Sequence, residues 1–184
     1  MMNASIPRAG RPMLAALVTV ALGTAELRAQ EAVPPAPAAA DVESVDAIIA
    51  AVYDVISGPA GAERDWDRMR SLFLPGARLI PSWRTDAGEI GHQFLTLGEW
   101  LDQATGYFAQ NPFFETEVHR VDETYGHIAH VFSTYESRRE ADGEAFTRGI
   151  NSFQLLNDGR RWWVVNIFWQ GESAAEPIPR EYLP

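Results

Sequence analysis

An α+β domain behind an export signal is what the sequence predicts, and three observations carry it. Apolar residues recur at helical spacing through the first half of the chain. From Pro112 onward the period becomes strand-like. An apolar run with a basic start precedes both.

The amino terminus is read first. Arg8 and Arg11 supply positive charge, Met13 to Ala25 is apolar throughout, and the small residues Ala25 and Ala29 follow, which is the layout of a secretory signal peptide. Cleavage is expected after Ala29, with Ala25 as the alternative. The run is too short for a bilayer, which takes roughly 20 residues. Glu31 to Ala40 is a Pro/Ala tract that cannot build a core and reads as a stiff spacer. The expected organisation is therefore a signal peptide over 1–29, a linker over 30–40, one domain over 41–173 and a tail over 174–184, in a periplasmic or extracellular protein.

Composition removes several kinds of chemistry. The chain of 184 residues has 25 acidic and 15 basic residues, a net charge of −10, and every basic residue is Arg. Such a surface disfavours nucleic acid and anionic lipid as partners. Without Lys there is no Schiff base, and without Cys there is no thiol nucleophile or thiolate metal site. No cofactor is called for.

Three helices are expected. Val42, Val45, Ile48, Ile49, Val52, Tyr53 and Ile56 form one apolar stripe with Asp41 available as N-cap, and Gly58, Pro59 and Gly61 end it. A short second helix carries Trp66, Met69, Leu72 and Phe73 up to Pro75 and Gly76, and Ala77 to Ile80 reads as a short strand. Thr96 with Glu99 is a capping box opening a third helix through Trp100, Leu101, Ala104, Tyr107 and Phe108. Four strands then follow over Phe113 to Val121, His127 to Arg138, Glu144 to Leu156 and Arg161 to Gln170. Short turns between them make an antiparallel meander.

The segments RDWDRMRSLFLPGARL (Arg64 to Leu79), GHIAHV (Gly126 to Val131) and NDGRRWWVVNIFW (Asn157 to Trp169) together resemble the NTF2-like superfamily, which includes SnoaL-like cyclases and ketosteroid isomerases. Gly76 stands where that family often has Asp. The resemblance implies a cone in which three helices close over a curved antiparallel sheet around a pocket. Matched to it, His130, Phe132, Thr134 and Glu136 point inward. A three-residue loop at Ala141 to Gly143 sets His130 opposite Gln154, Phe132 opposite Ser152 and Glu136 opposite Arg148. A four-residue turn at Asn157 to Arg160 sets Gln154 opposite Trp163, Ser152 opposite Val165 and Arg148 opposite Trp169.

The candidate ligand-binding residues are thus Tyr53, Phe132, Glu136, Arg148, Ser152, Gln154, Trp163 and Trp169. Glu136 and Arg148 are either a grip for a polar ligand group or a structural ion pair. His130 is either a general base or a hydrogen-bonded core residue. Tyr53 falls on the position of the ketosteroid isomerase tyrosine, but the two acids of that family fall on Pro81 and Ser152, so an Asp-based proton shuttle is not implied. His127 and His130 lie on opposite faces of a strand, and His92 and His119 lack a ligand-spaced partner, so no metal is expected.

Three functions stay open. They are a pocket for a small, largely apolar molecule, an isomerase, dehydratase or cyclase with His130 as base, and a partner-binding module whose pocket is filled by Trp83, Phe94 or Trp100. A homodimer through the outer face of the sheet is expected from Trp162, Val164 and Phe168, with Phe153 and Leu155 beside them. The competing cover for that face is the tail, with Ile178, Tyr182 and Leu183.

Overall fold

The structure, a computed structural model, describes residues 33–184. The expected signal peptide and the first linker residues lie outside the described residues. Helix α1 spans Val45–Ile56, α2 Trp66–Leu72 and α3 Leu97–Gln110. The stripe Ile48, Ile49, Val52, Tyr53, Ile56 is buried as its spacing requires. Its N-cap is Ser44, whose side chain accepts from the Ala47 amide at 3.0 Å, and not Asp41. Val42 is buried before the helix starts, which lengthens the apparent period by one turn. Asp41 instead takes two hydrogen bonds from Arg68, at 2.8 and 2.9 Å, and so fastens the end of the linker to α2. The capping box of α3 forms in full at Thr96 and Glu99.

The turn between α1 and α2 is held by one buried side chain. Arg64 donates to the carbonyls of Ile56, Gly58, Pro59 and Ala62, and its guanidinium lies 5.1 Å from the centre of the Phe108 ring. Gly58, at φ 153°, leaves the room: a Cβ there would stand 3.1 Å from the guanidinium carbon.

Seven strands form one sheet: β1 Phe73–Arg84, β2 Ile90–His92, β3 Leu95–Thr96, β4 Phe114–Tyr125, β5 Ile128–Arg138, β6 Ala145–Asn157 and β7 Trp162–Gly171. Their order is β2-β1-β7-β6-β5-β4, with β3 also paired to β1. β4 to β7 make the expected antiparallel meander, but β1 runs parallel to β7, so the sheet is mixed rather than wholly antiparallel. β1 is also far longer than the segment Ala77 to Ile80. The breakers Pro75 and Gly76 are absorbed in an irregularity of its pairing with β7 between Phe73 and Arg78.

The helices cover one face of this sheet, and alternation identifies it. On β5 the buried side is Ala129, Val131, Ser133, Tyr135 and Ser137. Asn151, Phe153 and Leu155 of β6 share that core with α1. His130, Phe132, Glu136, Arg148, Ser152 and Gln154 therefore lie on the outer face, not in the cone. The β5 to β6 register is as expected up to Ser137, with His130 opposite Gln154, Phe132 opposite Ser152 and Glu136 opposite Arg148. An irregularity then sets Arg138 opposite Ala145, so the loop runs from Arg139 to Glu144 and the expected three-residue hairpin at Ala141 to Gly143 does not form. Over the stretch up to Ser137 the face is reversed, because both faces of β5 mix polar with apolar residues and alternation alone does not choose between them.

In β6 and β7 the register itself differs. The turn occupies Asp158 to Arg161, and Val165 is an extra residue between the pairs Gln154–Asn166 and Leu155–Val164. Ser152 consequently faces Phe168, and Asn151 faces Trp169. The bulge turns both halves of β7 the same way, so that Trp162 and Val164 before it and Ile167 after it all enter the core. Trp163 lies outside, donating to Asp158 at 2.9 Å, with the Arg161 guanidinium 3.6 Å from its ring centre. Of the five apolar residues expected to make the outer face sticky, Trp162, Val164, Phe153 and Leu155 are core residues and Phe168 alone is exposed.

The tail crosses the outer face as a strap from Glu172 to Pro184. Glu172 accepts from Arg148 Nε at 2.7 Å and from the Ile178 amide at 2.9 Å, so Arg148 serves the strap rather than Glu136, which pairs with Arg138. Glu176 accepts from Gln170 at 2.7 Å and from Arg84. Thr134, fully buried, donates to the Tyr182 carbonyl at 2.6 Å, and the Tyr182 ring sits 5.4 Å from that of Phe132.

Candidate functional site

Between the helices and the inner face lies a cavity of about 120 Å³. Its walls are apolar: Val52 and Ile56 come from α1, Met69 from α2, Trp100 and Phe108 from α3, and Leu79, Phe153, Ile167 and Trp169 from the sheet. Trp66 braces the α3 side, stacked on Phe108 at 6.1 Å and edge-on to Trp100 at 6.3 Å. Trp83 and Phe94 stand exposed away from it, whereas Trp100 lines it.

Three polar side chains enter this wall: Glu115 at the start of β4, Tyr135 and Asn151. Glu115 is fixed at both ends. Its amide donates to Ser57 Oγ at 3.0 Å, and its carboxylate accepts from Ser137 Oγ at 2.7 Å and from Asn151 Nδ2 at 3.5 Å. Burial pushes its carboxyl up to about 7 from the ordinary 4.5, and those two hydrogen bonds offset only part of the rise. It keeps some accessible surface because it borders two spaces, the cone cavity and a groove between α1 and β4.

Asn151 continues inward as a relay whose polarity is fixed. Its Nδ2 can only donate, and it does so to the Tyr53 hydroxyl at 3.0 Å. Ser133 commits its proton to the Glu117 carboxylate, so across the 2.7 Å contact Tyr53 must be the donor and Ser133 the acceptor. Glu117 is held in turn by Arg120, which also pairs with Asp46 at the surface. Burial, and then the charge of Glu115, raise both Tyr53 and Tyr135 well above the usual tyrosine value. Both are neutral hydroxyls at any working pH. Tyr135 fits only because Gly149 faces it: a Cβ there would be 2.4 Å from the Tyr135 oxygen.

Of the residues expected from the sequence, Trp169 lines the cone and Tyr53 lies in its core with its hydroxyl spent in the relay. His130 is on the outer face, in contact with Gln154 through Nδ1 and tilted against Phe132 at 5.4 Å. Phe132 and Ser152 lie under the strap, and Glu136 and Arg148 stand at its edge. Glu115, Tyr135 and Asn151 were not expected. The available signal was in β4, where Glu115 and Glu117 put two carboxylates on one strand face that is otherwise half-buried. Among the described residues no group of three or more His, Asp or Glu is placed to hold a metal ion.

No protein-family model and no curated protein matches the chain. Solved structures do. A protein of unknown function with a cystatin-like fold from Nostoc punctiforme is 10% identical, covers 71% of this chain and 90% of its own, and superposes with a TM-score of 0.51. A candidate dehydratase of the NTF2-like family from Streptomyces avermitilis is 15% identical over 73% of this chain and 97% of its own, with a TM-score of 0.50. An uncharacterised cystatin-like protein from Caulobacter vibrioides is 14% identical over 72% and 90%, again at 0.50. These likenesses establish the fold: the chain is an NTF2-like, or cystatin-like, cone.

The elevated Glu115 carboxyl has a thermodynamic consequence. The folded state keeps a proton that the unfolded chain releases, so stability is highest below about pH 4.5 as far as this group is concerned and falls as pH rises to about 7. Glu115→Gln is expected to flatten that fall and to raise the urea midpoint above wild type near pH 8. Parallel pH profiles for the two proteins would refute the assignment.

Proposed function

We propose that the chain is an exported pocket protein whose cone takes a small, largely apolar molecule with one polar group. The observation that carries this is the apolar cavity of about 120 Å³ with a single cluster of polar groups, Glu115, Asn151 and Tyr135, at one wall. A molecule the size of one ring fits that space, its polar group meeting the carboxylate or the tyrosine hydroxyl. Export belongs to the proposal through the signal-like residues 1–29. Phenol is a suitable probe. Its titration should shift NMR signals of Val52, Tyr135 and Phe153, and Glu115→Ala should weaken binding about tenfold, the worth of one hydrogen bond. Unmoved cone signals, or equal affinity in the variant, would count against the pocket.

A second reading is acid–base chemistry with Glu115 in the role that the sequence offered to His130. It is favoured by a carboxyl that titrates near neutrality inside an apolar cavity, beside the neutral Tyr135 hydroxyl that could hold a carbonyl oxygen. A dehydration would draw on the same base. Cyclopentanone tests it: deuterium uptake next to its carbonyl should accelerate as pH passes about 7 and vanish in Glu115→Gln. Uptake at the buffer rate with wild-type protein ends this reading.

Self-association is supported by a smaller surface than the sequence suggested. Val121, Tyr125 and Ile128 are exposed at one end of the outer face. We infer a homodimer through that end. Light scattering of the mature chain should give twice the chain mass, and Ile128→Asp should return it to one; a wild-type monomer at micromolar concentration defeats the inference.

A further inference from the structure

The space beneath the strap is larger than the cone, at about 330 Å³. Its floor is the outer face, where Phe132, Ser152 and Phe168 stand in one row across β5, β6 and β7. Its roof is Pro177, Ile178 and Pro179. A cover that served only to hide apolar surface would settle onto it at the density of a protein interior. This one is propped: Glu172 and Glu176 fasten one end to Arg148, Arg84 and Gln170, and Tyr182 fastens the other to Thr134, while the stiff proline segment between them spans the gap.

The walls also state what they will accept. Pro177 and Pro179 have no N–H, and that of Ile178 is taken by Glu172, so the roof offers no donor. Both oxygens of Glu172 and both of Glu176 are engaged, which leaves no free charge on them for a ligand to meet. Ser152, between the two phenylalanines, makes no side-chain hydrogen bond among the described residues and lines the space.

We propose that this is a second binding site, independent of the cone, for an uncharged, flat and mainly apolar molecule with one hydroxyl or carbonyl. There is room for on the order of ten non-hydrogen atoms. The ring system lies between Phe132 and Phe168 below and the prolines above, and its polar atom meets Ser152.

2-Naphthol, uncharged at neutral pH, is the probe. With isotope-labelled mature protein, filtered NOEs from its ring protons should reach the methyl groups of Ile150 and Ile178. Ser152→Phe, which fills the space, should weaken binding at least about tenfold. NOEs confined to Val52 and Ile56 would place the molecule in the cone and overturn the proposal, as would the absence of any protein NOE. The wild-type NOEs decide the question even if Ser152→Phe does not fold, and they leave the phenol result at the cone unaffected.

Discussion

The Tyr53 hydroxyl sets the position of everything around it. A phenol buried this deeply must find partners or cost several kcal/mol, and Tyr53 has two, Asn151 on β6 and Ser133 on β5. Helix α1 can therefore sit at one height and one rotation over the sheet. That seating puts Val52 and Ile56 over the cavity and aligns Asn151 with Glu115. The relay continues to Glu117 and Arg120, so the bridge from helix to sheet is anchored at the surface as well as in the core. Because every proton in it has one permitted direction, it orders the cone wall without adding a free charge to it.

Helix existence and the order of the β4 to β7 meander were legible because they depend on local period and turn chemistry, whereas β2, β3 and the parallel seat of β1 beside β7 were not. Thr96 with Glu99 specified the start of α3 to the residue. The turn signal at Ala141 to Gly143 was enough to give the β5 to β6 pairing from His130 to Ser137, although the loop that forms is longer, from Arg139 to Glu144, and Gly143 does not take a positive φ. The choice of face was not legible, since Val131, Ser133 and Tyr135 on one side and His130, Phe132 and Thr134 on the other are equally mixed. What separates them is tertiary: Ser133 has Tyr53 to bond with, and Thr134 has the strap. Glu115 was hidden for the same reason, since an acid at the start of a strand reads as a solvated edge until α1 is seen to close over it.

The two sides of the sheet use polar groups in opposite ways. In the cone, Glu115 is held by neutral donors and stays close to the point at which it exchanges its proton. Outside, the hydrogen bond from Arg148 holds the Glu172 carboxyl below its usual range, so that fastening is ionised across the neutral region. Acidification that protonates the cone acid thus leaves this strap contact in place. The Arg64 staple adds a constraint of another kind, since a Lys could not span the four carbonyls that the planar guanidinium reaches.

The extra residue at Val165 carries a consequence for how β7 can change. On one side of it the core positions are Trp162 and Val164, on the other Ile167 and Trp169, so the strand keeps two inward phases joined by one irregular step. Deleting Val165 would restore ideal pairing with both sets still facing the core, whereas drawing Val165 itself into the ladder would drive one of the two sets into water. The extra residue is therefore pinned in place: sliding it along β7 would reverse the facing of every residue it passed, so the most irregular point of the strand is the one least free to drift.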